Sequence, residues 1–427
     1  MTDTTLRVQL LLTGNELMSG DTVDSNSSMI ARRLDELAID VQRKVTVGDD
    51  PALLRAELAS MAAQSDLVII NGGLGPTIDD LTAQVLADVA GVGLEQHPAA
   101  VAHLETWCAG RGLALNAANL KQALLPAGCR IIDNPIGSAV GFELNLGECR
   151  VLCTPGVPGE LAAMLDGILR DLAQRLGRRL ERDILRLQTF GLGESSAQQI
   201  IADNIPDWPT AVQLGFRAGA PQLEIKLGVD RAADLPQRDW CYQRLRELFG
   251  DHIIGEGDAR LADVVLALLR ERGATLATAE SCTGGLIASL LTRVPGASDA
   301  FHAGFVTYDN AIKHSVLGVP EAVLAEHGAV SEPVVRAMAL GAMDAAGADF
   351  AIATSGIAGP GGGTPDKPVG TVWLAWGARD SLQARRLLWP VERHLFQTMV
   401  AAAGLDMIRR TLLGIEGESR HMRQRRA

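Results

Sequence analysis

The stretch Asp66-Leu-Val-Ile-Ile-Asn-Gly-Gly-Leu-Gly-Pro-Thr77 changes texture midway: an apolar run rich in β-branched residues breaks into a glycine loop. Asp79, Asp80 and a helical pattern from about Leu81 follow it. Strand, glycine loop, helix is the repeating unit of an α/β sheet with its connections at one edge. Glycines let a backbone approach an anion without a Cβ in the way, and a helix start offers unpaired N–H groups. A tight turn capped by Asp79 or Asp80 accounts for the same residues, so the loop alone leaves both readings open.

Working outward, the same alternation runs through Val8 to Leu12, Asn26 to Leu37, Val41 to Val45 and Pro51 to Ala63. This predicts a mostly parallel sheet in a first domain over residues 1–175. Around the arginine-rich Arg170 to Arg186 the element order changes. Strands at Ile184 to Thr189, Ala211 to Phe216 and Gln222 to Val229 around two helical stretches predict a small α+β domain over 180–255. A helix at Leu261 to Arg272 opens a third domain, 258–416, whose strands are expected at Thr275 to Ala279, Ala303 to Tyr308, Phe350 to Thr354 and Gly370 to Trp376. Residues 417–427 carry Arg420, Arg423, Arg425 and Arg426 without apolar periodicity, which predicts a disordered, solvated tail.

Composition narrows the function classes. A chain of 427 residues with 47% hydrophobic residues can bury several cores. The net charge of -12 repels polyanions, so nonspecific nucleic-acid binding is not expected. No secretory signal and no apolar run of membrane-spanning length is evident, which points to a cytoplasmic protein without a membrane partner. Six cysteines are scattered without metal-ligand spacing, so reduced thiols and no structural zinc are expected.

Three further loops fall where α/β sheets place ligands, at the carboxyl ends of strands. Thr13-Gly-Asn-Glu16, with Gly20, Asp24 and Asn26, supplies polar groups suited to a ribose or a metal; Asp24 and Asn26 are equally compatible with helix capping. In Ala279-Glu-Ser-Cys-Thr-Gly-Gly285, Ser281 sits at a strand-to-helix turn, with the amides of Thr283, Gly284 and Gly285 suitably placed for an oxyanion, or Ser281 is itself a helix cap. A serine attacking a primary amide needs a base, and no histidine or G-x-S-x-G elbow partners Ser281. Thr307-Tyr-Asp-Asn-Ala-Ile-Lys313 offers a lysine, which serves as a base if burial keeps it neutral; on a helix start it is otherwise a solvated charge. Tyr308 is open to reading as a core aromatic. The glycines of Ala353-Thr-Ser-Gly-Ile-Ala-Gly-Pro-Gly-Gly-Gly-Thr364 suggest a backbone close to a phosphate, or a flexible surface loop.

These motifs together resemble the CinA family (competence-damage-inducible protein), over nearly the whole chain. Gly14, Glu16, Gly20, Asp24, Asn26, Gly72 to Thr77, Asp79 to Thr82, Asn119 to Pro126, Asn134-Pro-Ile-Gly137 and Pro155-Gly-Val-Pro158 resemble its N-terminal domain, which is similar to molybdopterin-binding proteins. Ala279 to Gly285, Gly304 to Tyr308, Asn310, Lys313, Ser331, Ser355 to Pro360 and Asp366 to Thr371 resemble its C-terminal amidase domain.

The resemblance implies a three-layer N-terminal domain with metal-dependent ADP-ribose pyrophosphatase activity. For the C-terminal domain it implies deamidation of nicotinamide mononucleotide to nicotinic acid mononucleotide, and for the whole a homodimer. In it Ser281 is the nucleophile, Lys313 the base and Tyr308 a supporting hydroxyl. Thr283, Gly284, Gly285, Ser355, Gly356, Gly359 and Arg393 are the expected substrate contacts. Glu16, Asp24, Asn26, Gly72, Gly73, Gly75, Thr77 and Asp80 are the expected N-terminal nucleotide site, with Asp24, Asp79 and Asp80 as metal ligands.

Two departures stand out. His394-Leu-Phe-Gln397 follows Arg393 where a further arginine is expected, and Thr13 to Gly20 and Cys153-Thr-Pro-Gly156 differ from the commonest family wording. The expected function is a Ser/Lys amidase of pyridine nucleotide recycling that needs no cofactor. A metal-dependent ADP-ribose hydrolase alone, or a silent nucleotide-binding protein, are the alternatives.

Overall fold

The computed structural model describes residues 6–176, 182–417, 422, 423 and 425. The chain divides into two compact units, 1–183 and 184–427. The first is built on a six-stranded sheet of β1 (Val8–Thr13), β2 (Val41–Val47), β3 (Leu67–Asn71), β4 (Arg130–Ile132), β5 (Gly141–Leu146) and β6 (Cys149–Thr154). Its order is β2-β1-β3-β6-β5-β4. The β1, β2, β3 and β6 pairings are parallel, and β4 and β5 add an antiparallel edge. Every residue of β1 and β3 is buried, as expected of central strands covered on both faces. One face packs on α1 (Asn26–Asp35) and α3 (Pro158–Leu176), and the other on helices that include α2 (Thr82–Ala90).

In the second unit, β7 (Asp183–Phe190), β8 (Gln213–Gly219), β9 (Gln222–Val229) and β10 (Ile253–Glu256) form a sheet of order β8-β9-β7-β10. It packs on helices Glu194–Asn204 and Leu235–Phe249 through a core of its own. The other sheet contains β11 (Leu276–Glu280), β12 (Phe301–Val306), β13 (Phe350–Gly356), β14 (Thr371–Ala378) and β15 (Gln383–Leu388), in the order β12-β11-β13-β14-β15. The pairings of β12, β11 and β13 are parallel, and β14 and β15 run antiparallel. Helices α4 (Leu261–Arg272), α5 (Leu286–Thr292) and α8 (Arg393–Leu413) cover one face; α6 (Asn310–Leu317) and α7 (Glu332–Ala346) contribute to the other.

The helix α8 is buried without a break from Val400 to Arg410, so its apolar character extends around the cylinder. It crosses the sheet so closely that a Cβ on Gly404 would lie 2.8 Å from the Ile352 side chain. The same helix clamps the segment before β10. Arg409 donates to the carbonyls of Asp251 and Ile253 and to the buried Asp406 carboxylate, at 2.7, 3.2 and 2.9 Å.

The expected solvated tail is corrected where it is described. Met422 is buried in the α8 core, and the Arg425 carbonyl accepts from the Leu388 N–H at 2.8 Å. Arg420 and Arg426 lie outside the described residues. Among the described residues no helix is long and apolar enough to cross a membrane, and all six cysteines are free and buried.

Burial pushes the Asp406 carboxyl up, against the lowering effect of Arg409. The pair therefore fixes position more than it stabilises, but removing one partner strands the other charge. Asp406→Ala is expected to lower unfolding stability by about 3 kcal/mol in denaturant melts of the full chain; a midpoint equal to wild type would contradict this role.

Candidate functional site

Ser281 follows β11 directly, and its N–H is held by the Thr354 carbonyl at 3.0 Å. Glu280, fully buried, turns its carboxylate onto the start of α5 and accepts the N–H groups of Gly285, Ile287 and Ala288 at 3.0, 3.1 and 2.8 Å. A glutamate side chain is thus the cap of this helix, its two oxygens facing the open N–H groups at the helix start. Ser281 is therefore released from capping, and among the described residues its hydroxyl has no hydrogen-bond partner.

The same bonds correct the expected oxyanion donors. The Gly285 amide is spent on Glu280, and that of Gly284 on the Ser281 carbonyl at 3.1 Å. Thr283 is buried, its hydroxyl bonded to that of Thr354 at 2.8 Å. None of Thr283, Gly284 and Gly285 lines the cavity at Ser281. Cys282 does, and its N–H has no partner among the described residues. Its thiol is pushed up to about 12, mainly by burial, so it stays protonated and is no rival nucleophile.

Lys313 lies inside rather than on the surface, only 1% exposed, with Nζ donating to the Tyr308 carbonyl at 3.0 Å. Burial pulls its pKa down, partly opposed by Asp309 and Cys282. Ser281 and Lys313 line one cavity of about 230 Å³ with Tyr308, Ser355, Gly356 and Arg393. Asn310, Ala329 and Val330 also line it; the last two belong to the Gly328-Ala-Val stretch before Ser331 and were not expected as substrate contacts. Ser355 donates to the Ala329 carbonyl at 2.7 Å, which leaves its oxygen free to accept.

Tyr308 is exposed, not a core aromatic, and its hydroxyl accepts from Arg393 at 2.9 Å. Arg393 also donates to the Gly359 carbonyl at 2.7 Å, so Gly359 positions the arginine from outside the cavity lining. Where an arginine was expected, Gln397 donates to the Cys282 carbonyl at 2.9 Å and steadies the serine loop from behind. The glycines of this third loop answer internal packing. A Cβ on Gly356 would lie 2.7 Å from the Thr371 carbonyl oxygen, and one on Gly359 would lie 2.5 Å from Val369.

In the first unit, Glu16, Gly72, Gly73, Gly75, Thr77, Asp79 and Asp80 line a cavity of about 510 Å³ at the ends of β1 and β3. Gln122, within the Asn119 to Pro126 stretch, also lines it, as do Asp49, Ser138 and Glu160, which carried no sequence signal. Asp24 and Asn26 lie instead on a small adjoining cavity that shares Glu16. Asn26 is buried and gives its amide protons to Asn71 Oδ1 and the Gly156 carbonyl at 2.8 and 2.7 Å, which ties strand ends together.

The expected metal ligands do not converge. Asp24 accepts from the Ser27 N–H at 2.8 Å and from the Ser27 hydroxyl, capping α1, and Asp80 accepts the Thr77 N–H and hydroxyl at 2.8 and 2.5 Å. The Asp79 carboxyl is held below its usual range, first by the Thr77 hydroxyl. Among the described residues no three His, Cys, Asp or Glu side chains gather to hold a metal, so Asp24, Asp79 and Asp80 do not fit as one metal site. The loop glycines also serve the fold: a Cβ on Gly72 would lie 2.5 Å from the Thr13 carbonyl oxygen.

Comparison with known proteins matches these regions. Residues 258–412 match the family model described as the CinA C-terminal domain, and residues 9–175 that of a probable molybdopterin binding domain. A CinA-like protein of Colwellia psychrerythraea is 53% identical over 95% of this chain and 94% of its own length. Another, of Citrifermentans bemidjiense, is 42% identical over 96% and 98%. Among solved structures, the competence/damage inducible protein CihA of Agrobacterium tumefaciens shares 40% identity over 36% of this chain and 93% of its own, with a TM-score of 0.35.

The Glu280 cap is testable by itself. Glu280→Gln replaces one accepting oxygen by an NH2 that faces amide donors, and is expected to lower stability by about 1–3 kcal/mol. Thermal melts at neutral pH read it, and a variant as stable as wild type would remove the carboxylate from the account.

Proposed function

The chain belongs to the CinA family, and from that premise we propose that its C-terminal region hydrolyses the carboxamide of nicotinamide mononucleotide, giving nicotinic acid mononucleotide and ammonia. The observation that carries this reading is the buried, desolvated Lys313 on the same cavity as an unengaged Ser281 hydroxyl. A primary amide is a weak electrophile, so the serine must lose its proton as it attacks, and a neutral lysine amine is the base that these surroundings favour.

Lys313 takes the Ser281 proton while Oγ bonds to the carboxamide carbon. The Cys282 N–H donates to the oxyanion, and the Ser355 oxygen accepts from the substrate's amide N–H. Collapse of the tetrahedral intermediate breaks the C–N bond, and the proton held on Lys313 leaves with ammonia. Lys313, neutral again, takes a proton from water, whose oxygen attacks the acyl carbon; the ester bond breaks, the carboxylate forms and Ser281 recovers its hydrogen. Arg393, braced by Tyr308 and Gly359, supplies the charge for the substrate's phosphate.

A second reading concerns the first unit. Its larger cavity, walled by the glycine loop and Thr77, supports nucleotide binding, with ADP-ribose the candidate. Release of AMP from ADP-ribose by the full chain tests it; a Gly75→Ala variant, whose Cβ would press on the Asp80 carboxylate, is expected to lose that activity.

For the amidase, Ser281→Ala and Lys313→Met are each expected to lower kcat for ammonia release by several orders of magnitude. Equal rates in wild type and Ser281→Ala would end the proposal. Because Lys313 must be neutral to act, and burial lowers its pKa, the rate is expected to rise with pH through an ionisation below the ordinary lysine value and then level off. Lys313→Met, which removes a buried ammonium, is expected to melt no lower than wild type at acidic pH; a rate still climbing at pH values typical of free lysine would contradict the assignment.

A further inference from the structure

The second unit holds another cavity besides the one at Ser281, and it is the larger of the two. It measures about 700 Å³ and lies between the sheet β8-β9-β7-β10 and the helices α4, α5 and α8. That volume falls within the range of small-molecule sites. Leu261, Leu286, Leu290, Ala402 and Leu405 give it an apolar floor. Arg217, Arg260, Arg293 and the His394 ring stand on its walls, against the acidic groups Asp258 and Glu224.

Two of those arginines are engaged. Arg217 donates to Glu224 at 2.8 Å, and Arg260 to Asp263 at 2.7 Å. Arg293, in the lining of this cavity, makes no hydrogen bond or ion pair among the described residues. Glu224, also in the lining, is 2% exposed; one carboxylate oxygen accepts from Gln188 and Arg217, at 3.0 and 2.8 Å. The other, Oε1, is buried without a hydrogen-bond partner, with the Lys226 amine 3.7 Å away. The lining thus offers a cation with no partner among the described residues, a leucine surface for a flat ring, and the exposed Asp258 carboxylate as an acceptor for an amino group.

The position of this cavity matters as much as its lining. His394, Thr398, Ala402 and Leu405 recur at helical spacing, so they form one face of α8. The neighbouring face carries Arg393, on the Ser281 cavity, and Gln397, which holds the Cys282 carbonyl. Helix α5 is shared likewise: its first amides bind Glu280, next to Ser281, while Leu286 and Leu290 reach the larger cavity and Arg293 stands at its end.

We propose that this cavity is a second ligand site, which takes an amino-bearing aromatic nucleotide with its ring on the leucine floor and its phosphate at Arg293, and that its occupancy adjusts the Ser281 site through α5 and α8. The binding stands on the cavity alone; the adjustment rests on the amidase reading above.

Calorimetric titration of the full chain with AMP tests the binding, with inorganic phosphate as the ring-less probe. Arg293→Ala and the cavity-filling Leu290→Trp are each expected to remove one AMP-binding event or weaken it at least tenfold. Thermal melts serve to show that both variants are folded, and Ser281→Ala should keep the event. Absence of AMP binding to the wild type, wild-type binding by both folded variants, or phosphate binding as tight as AMP would each overturn the site.

The adjustment is read as an AMP-dependent change in KM or kcat for ammonia release, present in the wild type and lost in Arg293→Ala; unchanged kinetics at saturating AMP would overturn it. Should no ammonia be released at all, the amidase reading fails while the titration still decides the site.

Discussion

An ammonium group stripped of water and given no carboxylate partner holds its proton weakly, and the C-terminal region is arranged around that fact at Lys313. Its nitrogen is buried and bonded to a carbonyl, and Asp309, the acid next to it in sequence terms, gives an oxygen to the Ala311 amide at the cap of α6. On the facing loop the opposite device operates. Glu280 is buried as well, but the amides of Gly285, Ile287 and Ala288 donate to its oxygens, and the serine beside it is left unengaged. A serine without a capping role and a buried lysine without an ion pair among the described residues thus line one cavity beyond the carboxyl ends of adjacent strands.

Much of this was legible in the chain. The apolar run at Leu67 to Ile70 and the stretch Thr275 to Ala279 marked central strands because strands buried on both faces lose their alternation, and the glycine loops marked the sheet edge where both cavities lie. Other elements were not legible. Strands β5 and β6 mix polar and apolar residues beside turn signals, and the role of Ala329 and Val330 comes from a tertiary approach that no local pattern encodes. Gly284 and Gly285 looked like oxyanion donors because a strand-to-helix turn exposes amides; which acceptor takes them was decided by Glu280, a residue whose burial the sequence did not announce. A buried glutamate directly before a serine, with glycines opening a helix, is the pattern that would have shown it.

The first unit shows the same competition between ligand and fold. Glycines at 72 and 73, both at positive φ, look made for a phosphate, yet each also lets neighbouring chain pass where a side chain would collide. Asp24 and Asp80, attractive as metal ligands in the sequence, are turned onto Ser27 and Thr77. What remains is a cavity of about 510 Å³ walled in part by the glycine loop, and among the described residues its carboxylates form no preformed metal cage.

The account depends most directly on the protonation state of one nitrogen. The chain has five lysines, Lys44, Lys121, Lys226, Lys313 and Lys367, so an NMR titration of the full chain labelled at lysine Nζ can resolve it, with Lys313→Met assigning the signal. The arrangement predicts that the Lys313 amine loses its proton below the pH at which the exposed lysines lose theirs. A Lys313 signal that titrates together with those of the surface lysines would contradict it.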